Sequence, residues 1–422
     1  MATDGGEIDY RKYTREQLEQ IRQRMDGQRY PLNYQRVLNE IGRRDAEARA
    51  AAVMPSGQSH APTASGPATA GAAAAPSAPV RYRPEFNADP REYFRIWIVN
   101  LALTLATLGI YSAWAKVRKL RYFYSSTTLA GSAFGYHGEP LKILRGRIIA
   151  AAIAICYFAA TRTSPLATFA VIGLLGVVTP FLVVKSRMFS LRVTSWRGLR
   201  FDFAPDYAGA YRTLLGWLIL GVVSFGLLMP RFICERYRFI MTRSRYGATA
   251  FDCEPNVGRF YKTAFASIGL TFVVMLAIIL PGMFIIGFVA QSLHLSKPAI
   301  QTLSVVPVAL AYILMFAVVH GYTQARNLNE VFSHTMLGEH RILSRLAAGS
   351  LIGIFLSNTF LIILTLGLYT PWAQIRLARY RLEALELEAH GSLDDFVAAA
   401  AAEVPAATGE ELSSLLDVDF GF

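Results

Sequence analysis

The chain is 422 residues long, 53% hydrophobic and only 17% charged, with a mean hydropathy of +0.32. That is too apolar for a soluble enzyme of ordinary size, and it excludes a disulfide scaffold and a disordered chain. The net charge of +12 is uneven: residues 1–80 carry 10 basic and 9 acidic side chains, residues 81–381 carry 32 and 11, and residues 382–422 carry none and 10. A basic, apolar middle attracts anionic lipid head groups, at about 1 kcal/mol per nearby Lys or Arg. Its cations flank apolar runs instead of forming a separate domain, which argues against a nucleic-acid partner.

In chain order, residues 1–45 read as a small soluble helical pair. Thr14 and Gln17 fit a capping box, Leu18, Ile21 and Met25 share one face, and Tyr34, Val37, Leu38 and Ile41 repeat the pattern after a break at Gly27 and Pro31. The two helices either pack on each other or dock on a protein partner. Residues 46–80, Ala/Pro-rich and nearly uncharged, form a disordered linker. No secretory signal precedes the first apolar stretch, so the N-terminus is expected in the cytoplasm.

Charge-free runs mark seven membrane segments at 96–115, 148–161, 163–184, 213–230, 263–296, 298–325 and 346–375, because a charge at mid-bilayer is costly and about 20 apolar residues cross the hydrocarbon. The second and third join at Thr161–Pro165 as a hairpin, and the fifth and sixth join around Gln291–Pro298. Loops after the first, third and fourth segments are all basic, which strict alternation across a bilayer cannot place on one side. Seven spans violate that charge rule. If segments one, four and seven instead dip in and return, every basic loop and both termini lie inside, and the two hairpins are the full spans.

Internal similarity is the strongest signal. Residues 100–122 superimpose without a gap on 358–380, with 11 of 23 positions identical, among them Asn100/Asn358, Thr107/Thr365, Gly109/Gly367, Tyr111/Tyr369, Trp114/Trp372, Arg118/Arg376, Arg121/Arg379 and Tyr122/Tyr380. A fainter copy spans 217–239, with Ser224, Gly226 and Arg238 in corresponding places. Each copy is an apolar helix, a Thr/Ser-x-Gly punctuation and a basic flank. Tyr111, Trp114, Tyr369 and Trp372 suit interfacial anchoring, and Arg118, Arg121, Arg376 and Arg379, three residues apart in pairs on one helix face, suit lipid phosphates. A second recurring unit, a β-prone stretch beside glycine, occurs at Thr128–Gly131, Thr194–Gly198, Tyr246–Ala248 and Thr335–Gly338 and predicts short hairpins able to pair into a small intracellular sheet.

The run Thr107–Lys116, its copy Thr365–Ala373, the stretch Thr194–Phe201 and the closing Gly409–Leu412 and Asp417–Asp419 resemble the YjgN-like family of bacterial inner-membrane proteins over roughly residues 84–422. The resemblance implies a polytopic location in the bacterial inner membrane. It carries over no catalytic residue, because the family is a domain of unknown function. Ala113 stands where the second copy has Pro371.

The expected fold is therefore an all-α integral membrane protein of about seven membrane segments in repeated units (100–122, 217–239, 358–380), some re-entrant, with short β-hairpins on the cytoplasmic side. The polytopic domain covers 81–381, and 382–422 is an acidic cytoplasmic tail. No nucleophile–base pair, metal cluster or phosphate loop stands at working spacing, the acidic residues of 81–381 fall in the connecting stretches, and Cys156, Cys234 and Cys253 show no metal-ligand spacing. The reading is a non-enzyme without cofactor or metal. His294 and His320 fit structural roles better than a proton relay, and His334, Glu339 and His340 fit an ordinary polar loop. Asn100 and Asn358, amides within apolar runs, form a candidate intramembrane polar pair that either bonds between helices or lines a cavity; Pro281 and Gly282 mark a kink or hinge. A transporter or channel-like protein is the first functional expectation. The alternative is an anionic-lipid-binding or scaffolding protein of the envelope.

Overall fold

The computed structural model describes residues 79–402, which belong to one compact unit. The expected helical pair at 1–45, nearly all of the linker, and the tail beyond residue 402 lie outside the described residues.

Four β-hairpins share one plan, a three-residue strand, a two-residue turn and a five-residue strand: β3 (Thr127–Leu129) with β4 (Ser132–Tyr136), β5 (Thr194–Trp196) with β6 (Leu199–Phe203), β7 (Ser244–Tyr246) with β8 (Thr249–Cys253), and β9 (Thr335–Leu337) with β10 (His340–Ser344). Their turns use positive φ at Ala130-Gly131, Arg197-Gly198, Gly247 and Gly338, the geometry that matches strand twist in tight hairpins. The hairpins then pair with one another, and with β11 (Leu385–Ala389), into a single antiparallel sheet ordered β1-β11-β10-β9-β8-β7-β6-β5-β4-β3-β2. Its two edge strands, β1 (Val80–Tyr82) and β2 (Glu85–Phe86), are consecutive pieces of one segment. Pro84 between them has no N–H to give a ladder, so pairing passes there from β11 to β3. Tyr82 and Glu85, three residues apart, can be separated by at most about 10 Å. The sheet must therefore curl until its edges meet, which leaves little open edge.

Side chains on the inside of the curl, among them Phe134, Trp196, Tyr246, Phe251 and Leu387, converge on α11 (Leu393–Ala402). That helix plugs the ring through Leu393, Phe396, Val397 and Ala400. Its start is tied by an Arg197–Asp394 ion pair and its end by the Ala248 N–H donating to the Ala400 carbonyl at 3.2 Å.

Before the first hairpin, between successive hairpins and after the last, the chain leaves the sheet as two helices and returns. The five excursions are α1 (Pro90–Ala106) with α2 (Ser112–Ser125), α3 (Pro140–Thr163) with α4 (Pro165–Arg192), α5 (Tyr207–Val223, with a π-helical turn at Tyr211–Gly216) with α6 (Met229–Arg243), α7 (Val257–Ser292) with α8 (Lys297–Ser333), and α9 (Ala348–Leu364) with α10 (Thr370–Glu383). One backbone hydrogen bond closes the base of each: Asn87 to Ser126 (2.9 Å), His137 to Val193 (2.7 Å), Ala204 to Arg243 (2.8 Å), Glu254 to His334 (3.2 Å) and Arg345 to Ala384 (2.9 Å), the N–H donating in every case.

This architecture corrects the expected fold class. The protein is not all-α with a few short hairpins, because the hairpins merge into an 11-stranded sheet. Nor are there seven comparable membrane segments: among the described residues four helices, α3, α4, α7 and α8, are long and apolar enough to cross a membrane. The stretches 96–115, 213–230 and 346–375 are helical hairpins whose turns lie inside the charge-free run. The turn explains the Thr/Ser-x-Gly punctuation. Leu108-Gly109, Phe225-Gly226 and Leu366-Gly367 all take positive φ and end the outgoing helix. The glycine N–H groups donate back to Thr104, Gly221 and Ile362 at 2.7, 2.8 and 2.7 Å. The hydroxyls of Thr107, Ser224 and Thr365 accept the N–H of Tyr111, Leu228 and Tyr369 at 2.9, 3.0 and 3.0 Å, which starts the returning helix. Pro281 does not interrupt α7, and Gly282 beside it lets Pro307 of α8 come so close that a Cβ there would lie 2.4 Å from the proline ring.

Candidate functional site

Each turn of the short hairpins presents a bare apolar side chain. Leu108, Phe225 and Leu366 are 95%, 99% and 94% exposed. Cations stand close behind them, since Lys116, Arg231 and Arg376 are the fifth, third and seventh residues of the returning helices, within about 10 Å of the turn at 1.5 Å per residue. The longer excursions carry most of their charges near the sheet, on Lys142, Arg145 and Arg147 of α3, on Lys185, Arg187 and Arg192 of α4, and on Arg259 and Lys262 of α7, with Arg162 and Lys297 at their far ends. The helix bases together form a basic collar between the apolar tips and the sheet.

The expected lipid contacts sit in that collar and divide in two. Arg118 is exposed, and Arg376, also exposed, donates to the Ser357 hydroxyl at 2.8 Å. Arg121 and Arg379, exposed as well, reach the carbonyls of Gly138 (3.5 Å) and Ala88 (3.1 Å), one tying α2 to the loop between β4 and α3 and the other bridging α10 to the start of α1. Tyr111 stacks on Trp114 at 6.2 Å and 12°, Tyr369 on Trp372 at 6.1 Å and 13°, and Trp372 also meets Phe94 at 4.9 Å. Two further tyrosines lock the hairpin bases. The Tyr122 hydroxyl accepts the Asp89 N–H at 2.9 Å and donates to the Asp89 carbonyl at 3.0 Å; Tyr380 does the same with Ala347, at 2.9 and 3.1 Å.

Asn100 and Asn358 are both buried, and no hydrogen bond joins them. Asn358 donates to the Ala373 carbonyl of α10 at 3.3 Å, and the side-chain oxygens of both asparagines are buried without a partner. His320 lies between Phe316 and Phe355 and bonds Gln324 at 2.9 Å, while His294 sits at the α7–α8 turn with positive φ.

Against the sequence expectation, Glu92, Glu235 and Glu330 all lie inside helices instead of connecting stretches, and Glu330 is the buried one of the three. It sits on α8, where it accepts the Asn256 N–H at 2.9 Å and pairs with Arg259 at 3.1 Å. It lines a polar cavity of about 520 Å³ at the base of α7 and α8 together with Arg259, Lys262, Tyr322 and Arg326. His334 donates to the Glu330 carbonyl at 2.8 Å. His340 lies inside the ring, edge-on to Phe396 at 4.5 Å, its Nδ1 accepting the His390 N–H at 3.2 Å. Burial first, and His390 second, hold its imidazole below the ordinary range against the pull of Glu339. Among the described residues no three His, Cys, Asp or Glu side chains gather as a metal site.

The match to known proteins is to a family model described as a bacterial protein of unknown function (DUF898), over residues 81–415. Two relatives named "Inner membrane protein YjgN" are similar over about a third of the chain. The one from Salmonella typhimurium is 29% identical over 145 residues, covering 34% of this chain and 37% of the relative. The one from Escherichia coli is 30% identical over 147 residues, covering 33% and 36%. The matched part thus spans little more than a third of the length of these curated relatives. No solved structure matches.

Proposed function

From the premise that the chain belongs to the DUF898 family of bacterial proteins of unknown function, we propose that it is a non-enzymatic inner-membrane protein that binds anionic lipid and scaffolds one leaflet. The observation that carries this is the pairing of exposed apolar tips with cations close behind them. An apolar side chain bared at a turn gains about 1.5–3 kcal/mol on leaving water. The cations on α2, α6 and α10 stop the tips from going deeper than the near leaflet, because a charge at mid-bilayer costs at least about 2.5 kcal/mol. On this reading α3/α4 and α7/α8 cross and return, the other three excursions dip, and the sheet with both ends of the described chain stays on the side the positive-inside rule makes cytoplasmic.

Transport, the first expectation from sequence, has less support. Few residues of any candidate span are fully buried within the chain, which gives no support to a passage enclosed by them. Neither asparagine lines the polar cavity at the base of α7 and α8.

The test is native mass spectrometry of the protein released from nanodiscs containing phosphatidylglycerol and phosphatidylethanolamine. Replacing Arg118, Arg121, Arg376 and Arg379 by Gln removes up to about 4 kcal/mol of head-group attraction, an upper bound near three decades in affinity. The retained anionic lipid should fall steeply while Asn100→Leu with Asn358→Leu leaves it unchanged. Retention that survives the four arginine changes counts against the reading, and a co-purifying solute lost only in the asparagine double variant would favour transport.

A further inference from the structure

The polar cavity at the base of α7 and α8 is built from one face of each helix. Arg259, Lys262 and Thr263 share a face of α7 at helical spacing, and Tyr322, Arg326 and Glu330 share a face of α8. Its lining thus carries three cations, Arg259, Lys262 and Arg326, against one acid, Glu330.

That acid is already answered. Glu330, 4% exposed, takes the Asn256 N–H on Oε1 and pairs through Oε2 with Nη1 of Arg259. It anchors Arg259 at the cavity and leaves the rest of the guanidinium fork to bond elsewhere. The other two cations have no such partner: among the described residues neither Lys262 nor Arg326 makes an ion pair. The Arg326 guanidinium lies over the Tyr322 ring, 5.6 Å from its centre, a contact that fixes its place without neutralising it. Like charges gathered in one recess repel, and the recess raises the local concentration of anions.

We infer that this cavity holds one phosphate group, bound by Arg259, Lys262 and Arg326. Guanidinium groups offer the paired N–H geometry that suits phosphate oxygens, and the Lys262 ammonium adds a compact charge. The volume of about 520 Å³ is several times the roughly 150 Å³ that takes benzene, so the group enters with its ester substituents. A lipid head and a soluble phosphate ester share this chemistry. The position favours the lipid, because Phe265, Phe272 and Leu276 follow Lys262 on the same face of α7, exposed by 60%, 64% and 54%, where acyl chains lie if α7 crosses the bilayer. That source, though not the site, rests on the lipid-scaffold reading, and none of the four arginines that test that reading belongs to the site.

The experiment is native mass spectrometry of the full chain released from phosphatidylcholine nanodiscs that contain a minor fraction of phosphatidylglycerol. The parent should keep one phosphatidylglycerol after the other lipids are stripped. Lys262→Gln with Arg326→Gln should lower that retention about thirtyfold, as expected for two head-group cations. Both side chains are exposed and the Asn256–Glu330–Arg259 contacts are untouched, so the fold should hold; Lys262→Gln alone repeats the test if it does not. Replacing Arg118, Arg121, Arg376 and Arg379 by Gln should leave this one lipid bound. In a second arm, thermal unfolding in phosphatidylcholine alone is followed with glycerol 3-phosphate, against sodium chloride of matched ionic strength. Stabilisation of the parent and not of the double variant, with no phosphatidylglycerol retained in the first arm, assigns the site to a soluble ester. Parent and double variant alike in both arms overturn the inference, as does a parent that neither retains the lipid nor responds to the ester. Loss of all retained lipid in the four-arginine variant and none in the double variant also overturns it, and leaves the lipid-scaffold reading standing.

Discussion

Gly247 offers a direct measure of how firmly the plug is held. It has φ +57°, and a Cβ built there would lie 2.5 Å from the Ala400 carbonyl oxygen and 2.7 Å from a Leu199 methyl. Gly131 occupies the corresponding hairpin turn with φ +74° and has open space where a Cβ would go. Alanine at either position brings the left-handed backbone cost of about 1–2 kcal/mol. At position 247 it also pushes on the backbone of α11 and loosens the Ala248–Ala400 hydrogen bond, worth about 1 kcal/mol. Gly247→Ala should therefore destabilise by about 1–3 kcal/mol more than Gly131→Ala. Thermal unfolding in matched nanodiscs gives the difference, and limited proteolysis locates it, with new cleavage expected around residues 390–402 only in Gly247→Ala. Equal destabilisation and equal protease resistance in the two variants would show that the helix does not bear on this turn.

The other expectations concern the hairpin bases and the ring interior. Tyr122→Phe and Tyr380→Phe each remove a hydroxyl that both accepts from and donates to one backbone residue; each should cost about 1 kcal/mol, discounted for exposure, and the pair should add, because the two clamps share no partner. A strongly non-additive double variant in thermal unfolding would contradict that. His340 is favoured neutral in the folded ring, with Glu339, His390 and Phe396 around it. Because the unfolded chain binds the proton more readily, the stability it contributes is full above about pH 6.5 and is lost as pH falls from there through the lower folded value. Protease resistance of α11 should drop between pH 7.5 and pH 5 in the parent and change less in His340→Gln; identical pH responses would remove His340 from the cause.

Much of this was legible in the sequence, but not its assembly. Thr107-x-Gly109 and its two counterparts stood out as a shared punctuation, and the structure makes each a turn, hydroxyl cap and positive-φ glycine being local chemistry. The turn's place was hidden because charge-free runs count both limbs of a hairpin: residues 96–115 run through Gly109 without a charge to mark the reversal. The four glycine turns located the hairpins. Strands of three and five residues carry no alternation long enough to show that β4 pairs with β5, or β8 with β9, nonlocal choices made in three dimensions. The stretch 382–402 reads as acidic tail by composition, yet Leu393, Phe396, Val397 and Ala400 fall at helical spacing and form the face that fills the ring. Glu386 stands between Leu385 and Leu387 in a strand-like alternation, and nothing local says that Arg83, 303 residues away, would be its partner.

The dipping of the short hairpins is the claim most directly open to measurement. In a background with Cys156, Cys234 and Cys253 replaced by Ala, a single cysteine at Leu108, Leu366 or Leu293 would be labelled with an environment-sensitive fluorophore and quenched by lipids brominated at known depths, alongside labelling by an impermeant thiol reagent from each side. The account predicts that positions 108 and 366 lie within the leaflet nearest the sheet and are labelled from neither far side, whereas position 293, at the α7–α8 turn, is reached from the face opposite the sheet. Labelling of position 108 from the same face as position 293 would mean that α1 crosses, and the one-leaflet account would be wrong.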